Sequence, residues 1–349
     1  FDEFFGNLYH LNAEEEPENP NYPQDLAFRA QFGPRGVLRC SATEAESDVV
    51  DPRFGPMGRQ TCEDTGPLTI ERMKNVDEEF LQASLDFMEA AVAADEPFFI
   101  WHNSTRMHYY THISEENVGR SGLNCYADGM LEHDEDVGVL LDKLDELDIA
   151  DNTIVYYSTD NGPHYNQWPD GGITPFRGEK NTNWEGGFRV PAAVRWPGEL
   201  PAGEVRNGIV SHLDWVPTLM AAAGEPDITY KLLERHEAAG KTFRVHLDGF
   251  DLLPYLKGEV DESPRRSFFY FSDDGELLAL RYERWKAVFA EQRARQFAVW
   301  RDPFVTLRAP KIFDLRMDPF ERGDTDSNNW NDWWGRQAFL LQPMQGFVA

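Results

Sequence analysis

The stretch Ile154-Val155-Tyr156-Tyr157-Ser158-Thr159-Asp160-Asn161-Gly162-Pro163 constrains this chain more than any other. It runs β-branched and aromatic, turns polar and breaks at Gly-Pro, the pattern of a buried strand ending in a loop. Asp160 and Asn161 then become oxygen donors at the carboxyl end of a strand, where open α/β sheets place their sites. An Asp-Asn pair standing alone is more often turn chemistry, because both side chains bond their own backbone. Further on, Gly178-Glu179-Lys180-Asn181-Thr182-Asn183-Trp184-Glu185-Gly186-Gly187 frames a single lysine with glycines. By itself Lys180 reads as a solvated lysine. Beside a hard-cation site, a fixed ammonium suits an anionic substrate.

Upstream of that stretch the apolar spacing alternates between helix and strand. Ile70, Met73, Val76, Phe80, Leu81, Leu85, Phe87 and Met88 predict an amphipathic helix over 69–94, closed by Asp95-Glu96-Pro97. Pro97 to Trp101 reads as a second buried strand, leading into His102-Asn103-Ser104-Thr105-Arg106-Met107-His108-Tyr109. A second long helix is predicted over 126–147, with Glu132 to Asp136 read as mostly its solvent face. Glu14-Glu15-Glu16 likewise reads as a solvated acidic surface. Strand, helix and strand in this order predict a parallel crossover unit.

Phe188 to Trp196 is a further strand candidate, and Asp214 reads as the N-cap of a helix through Ala223. After Gly258 the pattern changes to short strands at 268–271, 277–282, 285–290 and 311–315. These suggest a small antiparallel sheet, with Asp273-Asp274-Gly275 as a hairpin turn and a helix near 333–341. The expected division is therefore 1–258 and 259–349.

Composition excludes some partners. With 61 Asp plus Glu against 33 Lys plus Arg, the net charge of -28 repels nucleic acid and anionic membranes. No run approaches the roughly 18 apolar residues of a membrane span. Of the cysteines, Cys40, Cys62 and Cys125, none shows metal-ligand spacing; one disulfide is possible and the compartment stays open. The chain begins at Phe1 without a methionine or a signal-like segment, and Phe1-Asp2-Glu3-Phe4-Phe5-Gly6 reads as the middle of something.

Asp-Asn-Gly-Pro, then Phe176-Arg177-Gly178-Glu179-Lys180, then Trp184-Glu185-Gly186-Gly187-Phe188-Arg189-Val190-Pro191 closely resembles the second half of the sulfatase family. The tail Ile312-Phe313-Asp314-Leu315-Arg316-Met317-Asp318-Pro319-Phe320-Glu321 resembles the end of that family's C-terminal subdomain. The resemblance implies an alkaline phosphatase-like α/β fold, with a mostly parallel central sheet flanked by helices and a small C-terminal antiparallel subdomain. It implies hydrolysis of sulfate esters with a Ca2+ or Mg2+ ion and a formylglycine made from Cys or Ser in a Cys/Ser-x-Pro-x-Arg motif.

Carried over singly, Asp160 and Asn161 match metal ligands, and Lys180 matches the lysine bridging sulfate and leaving group. His108 matches the leaving-group histidine, a candidate general acid, better than His102; His112 is a near neighbour that stays open. His164, with Tyr165 and Trp168, is a candidate for the substrate pocket, in which a packed loop is the equal alternative. No cysteine or serine here carries the nucleophile motif, and neither the adjacent aspartates of the first strand nor a Lys-x-His pair is found. These elements precede Phe1 in family order. The expectation is thus a chain lacking its N-terminal strands and nucleophile, poorly soluble and inactive when expressed alone.

The resemblance leaves aryl, steroid and carbohydrate sulfates open as substrates, and suggests a periplasmic or extracellular location, with the cytoplasm not excluded. Two other readings are a phosphonate or phosphate ester hydrolase of the same superfamily, and a non-catalytic anion- or glycan-binding relic.

Overall fold

The computed structural model describes residues 1–348. They form two compact units, one of residues 1–150 with 169–171, the other of 151–168 with the residues from 172 onward. The 258/259 division expected from sequence lies inside the second unit.

In the first unit, strands β1 (Glu3–Gly6), β2 (Leu38–Ala42) and β3 (Gln60–Asp64) form an antiparallel sheet with β2 in the middle. Cys40 and Cys62 lie directly opposite on β2 and β3 and form a disulfide, while Cys125 is free. Residues 1–66 also hold the helices α1 (Leu11–Glu15) and α2 (Leu26–Phe32). Leu11, Val37, Leu68, Met73, Val76 and Phe80 make the core beneath them.

The helix expected over 69–94 is broken. Thr69 caps a short α3 (Ile70–Met73) by accepting from Arg72 N, and the chain restarts at Asn75 as α4 (Val76–Ala94). Asp95 ends it in the left-handed region. Helix α5 (Cys125–Glu146) runs almost as its spacing predicts, with Asn124 accepting from Ala127 N as N-cap. Pro97–Trp101 differs from expectation: it joins no ladder, and Phe99 and Trp101 are exposed.

Two surface assignments are overturned. Glu132 is buried, and His133 and Asp136 are half-buried, so this acidic run is only partly a solvent face. Glu14 is buried as well, and Glu15 pairs with His112.

In the second unit, β4 (Val155–Ser158) pairs antiparallel with β5 (Ala192–Arg195), Tyr156 facing Val194. Every strand pair among the described residues is antiparallel, so no ladder joins 97–101 to β4. The stretch expected as a strand from Phe188 instead opens with a helical turn, α6 (Glu185–Phe188).

Asp214 does not cap α7 (Trp215–Ala222) with its side chain. Its buried carboxylate accepts from Ser211 N, Phe250 N and the Arg265 guanidinium, an enclosed charge matched by a forked donor.

The C-terminal sheet forms where the short strands were expected. Strands β6 (Ser267–Phe271), β7 (Leu277–Tyr282), β8 (Trp285–Glu291) and β9 (Val305–Asp314) follow one another antiparallel. Gly275 turns the β6–β7 hairpin at φ 82. One sheet face packs Leu278, Val288 and Phe313 around Trp184, the other packs Leu280 and Ala287 against Met344. Met344 lies on α9 (Leu341–Val348), which follows α8 (Trp330–Gln337) in place of the single helix expected.

Candidate functional site

Strand β4 delivers Asp160 and Asn161 into a turn that is bonded to the lysine loop. Gly162 N donates to Gly187 O at 3.0 Å, and Lys180 N donates to Pro163 O at 2.9 Å. A Cβ on Gly162 would fall 1.8 Å from Gly186 O, so only glycine lets the backbones approach this closely. Asp160 is exposed, while Asn161 and Lys180 are half-buried. Among the described residues, nothing bonds to the carboxylate of Asp160, the side-chain amide of Asn161 or the ammonium of Lys180.

Glu179 organises the neighbourhood of Lys180. Its buried carboxylate accepts from Tyr165 N at 2.7 Å and Gln296 N at 2.8 Å. His164, a candidate substrate contact, gives its Nε2 lone pair to the indole N–H of Trp300 at 2.9 Å. Its Nδ1 lies 3.8 Å from Glu179 Oε2. Trp168 stands exposed on the same loop.

The rest of the lysine loop is anchored on the C-terminal sheet. Asn183 Nδ2 donates to Ala290 O at 2.7 Å, and Trp184 Nε1 donates to Gln292 O at 3.2 Å. Beneath them the fully buried Lys286 bridges Glu185 at 3.2 Å and Glu321 at 2.8 Å. Burial pushes the Glu185 carboxyl up, but Lys286 and Arg281 outweigh it and hold it below the usual range. Glu321 shares that lysine and lacks the arginine, so burial and the repulsion from Glu185 leave it raised. Lysine, glutamates and sheet together fix the loop that presents Lys180.

His108 belongs to the first unit, on a loop built around Asp77 and Arg106. Asp77 accepts from Ser104 Oγ at 2.7 Å, Thr105 N at 2.9 Å and Arg106 N at 2.8 Å. Arg106, wholly buried, donates to the carbonyls of Lys74 at 3.1 Å and His112 at 2.7 Å and pairs with Glu132 at 2.8 Å. His108 Nδ1 is hydrogen-bonded to Tyr109 O. A carbonyl only accepts, so Nδ1 donates to it. The ring stacks on that of His10 at 6.0 Å and 7°.

The two other histidines considered for this role have partners of their own. His112 Nε2 lies 2.7 Å from Glu15 Oε2. His102 Nδ1 lies 3.0 Å from Ser84 Oγ, and burial lowers its pKa. Around Asp77 and Arg106, burial lowers the pKa of His133 as well, and burial with the charge of Glu78 pushes Asp136 up to about 7. Sequence reasoning passed over Asp77, Arg106, Glu179 and Trp300. No periodic signal marks a residue whose role is to hold another.

The structure resembles a sulfatase from Pseudoalteromonas sp., PsFucS1, at a TM-score of 0.75 and 23% identity, over 99% of this chain and 67% of that one. That likeness carries the fold: the chain has the alkaline phosphatase-like α/β fold of the sulfatases, with a separate antiparallel sheet at the C-terminus. The sulfatase family model matches residues 1–225. Human arylsulfatase A is 34% identical over 248 residues, 68% of this chain and 46% of that protein. The N-acetylgalactosamine-6-sulfatase of Canis lupus familiaris is 34% identical over 218 residues, 62% of this chain and 38% of that protein. The chain belongs to the sulfatase family. It spans less than half the length of these two relatives.

Proposed function

We propose that this chain supplies part of a sulfuryl-transfer site, and that the protein hydrolyses sulfate esters. The observation that carries this reading is the joining of the Asp160-Asn161 turn to the Lys180 loop, with all three side chains unengaged. Unengaged carboxylate and amide oxygens suit a hard cation such as Ca2+ or Mg2+. Two side chains are fewer than the six to eight oxygens calcium takes, so they would form part of its ligand set, and no cluster of three or more His, Cys, Asp or Glu is found among the described residues. When bound, the ion would supply polarisation of the sulfate oxygens.

The chain's own residues supply charge and proton transfer. The Lys180 ammonium would neutralise a sulfate oxygen and the charge developing on the leaving alkoxide. His108, held through Nδ1, would act as the general acid that protonates the leaving oxygen. The nucleophile is assigned to no residue of this chain, since none carries the Cys/Ser-x-Pro-x-Arg pattern. Residues 259–349 form the subdomain whose sheet anchors the lysine loop. The Cys40–Cys62 disulfide supports a periplasmic or extracellular location. Among the described residues no helix is long and apolar enough to cross a membrane.

The test is turnover of 4-nitrophenyl sulfate, beside a phosphonate ester, by the full-length protein and its Lys180→Ala variant. Sulfate turnover that falls about 100-fold or more in kcat for the variant is expected. Preference for the phosphonate, or a fully active Lys180→Ala variant, would overturn the reading.

A further inference from the structure

The 3-10 turn Gln296–Trp300 is fastened along the lysine loop at two points. Gln296 N donates to Glu179 Oε1 at 2.8 Å, and Asn181 Nδ2 donates to Val299 O at 2.8 Å. Lys180 lies between Glu179 and Asn181, and Trp300 immediately follows Val299. Both fastened residues, Asn181 at φ 65 and Gln296 at φ 56, sit in the left-handed region, a conformation that surrounding bonds must hold in place.

The aromatic rings on this turn are held but not buried. Trp300 lies nearly parallel to His164, at 23° and 6.1 Å, and Phe297 meets the same imidazole edge-on at 6.0 Å. The His164 Nε2 acceptor satisfies the indole N–H, so the polar atom of Trp300 is used and its plane is set. Yet Trp300 is 49% exposed and Phe297 54% exposed. Apolar residues exposed singly need no explanation. Two exposed rings on one turn, stapled to the residues on either side of the lysine proposed to take the sulfate, call for a ligand.

We infer that Trp300, oriented by His164 and flanked by Phe297, is a stacking platform for the pyranose ring of a sulfated saccharide. This rests on the sulfatase reading of Lys180 and narrows its substrate to a carbohydrate sulfate. A pyranose offers C–H groups on one face, which prefer the electron-rich face of an indole, and hydroxyls around its edge, which prefer water. A half-open platform meets both demands. An aryl or steroid group gains most from an enclosed apolar pocket, which these rings do not form. His164 is then a positioning residue, and the rigid aromatic surface is the recognition element.

The experiment compares kcat/KM for a panel of galactose, N-acetylgalactosamine and N-acetylglucosamine 6-sulfates with that for 4-nitrophenyl sulfate, in the full-length protein. For Trp300→Ala the ratio of saccharide to aryl kcat/KM is expected to fall about tenfold, through KM, with Trp300→Phe restoring part of it. His164→Ala, which frees the indole, is expected to move the ratio the same way by less. An unchanged or increased ratio in Trp300→Ala would overturn the inference. Should the wild-type protein cleave neither kind of ester, the sulfatase reading fails by itself. Calorimetric binding of the same sulfated sugars then decides the platform: affinity weakened about tenfold by Trp300→Ala supports it, and equal or absent binding refutes it.

Discussion

Glu14 offers a measurement in which burial is the largest influence and sets the sign. The residue, on α1, is 4% exposed and its Oε1 has no hydrogen-bond partner. Burial pushes its pKa from 4.5 to about 7, with the backbone hydrogen bond from Tyr9 working against this and the charge of Asp64 adding to it. Between these two values the folded state holds the proton more tightly than the unfolded state. The contribution to stability is therefore most favourable below pH 4.5, declines as pH rises and levels off above about 7. At about 1.36 kcal/mol per pKa unit the whole loss is roughly 3 kcal/mol, of which about 2–3 kcal/mol falls between pH 5 and pH 8.

Replacing the group by Glu14→Gln removes that titration. The new amide needs a partner in the same buried place and costs about 1–3 kcal/mol, but equally at both pH values. Urea unfolding of wild type and variant at pH 5 and pH 8 gives a double difference from which this constant cost cancels. The variant should gain about 2–3 kcal/mol relative to wild type on going from pH 5 to pH 8. General repulsion from the net charge of -28 acts on both proteins and also cancels. Parallel pH profiles for the two proteins would refute the reasoning, because Glu14 would then titrate alike folded and unfolded.

Lys286→Met should destabilise the protein by about 3–5 kcal/mol, since Glu185 and Glu321 are left buried together without their shared cation. The loss should be smaller at acid pH, where Glu321, already raised, takes up a proton first; a thermal shift independent of pH would contradict this. Replacing Cys40 and Cys62 by alanine opens a loop with a sequence separation of 22 and should cost about 3 kcal/mol in chemical denaturation. Equal stability of reduced and oxidised wild-type protein would argue against it.

Much of the local architecture was legible in the chain itself. The pattern over 126–147 marked a helix that runs from Cys125 to Glu146. The alternating runs after Gly258 marked the four antiparallel strands, and Asp273-Asp274-Gly275 marked their first turn. The wording around Asp160 and Lys180 placed the family, and the structure bonds those two loops to each other. Such signals are local, because turn residues and apolar periodicity act over a few positions along the backbone.

Tertiary contact decided what a polar residue does. Glu132 sits in an acidic run that reads as a solvent face, and it is buried because Arg106 arrives from a loop to meet it. Lys286 looks like any strand lysine until the sheet folds it over Glu185, at a sequence separation of 101. Trp300 gains a fixed plane only because His164 reaches it from 136 positions away. Enclosing a charge or orienting an exposed ring depends on the partner that desolvation demands, and where that partner stands in space is not written in the residues on either side.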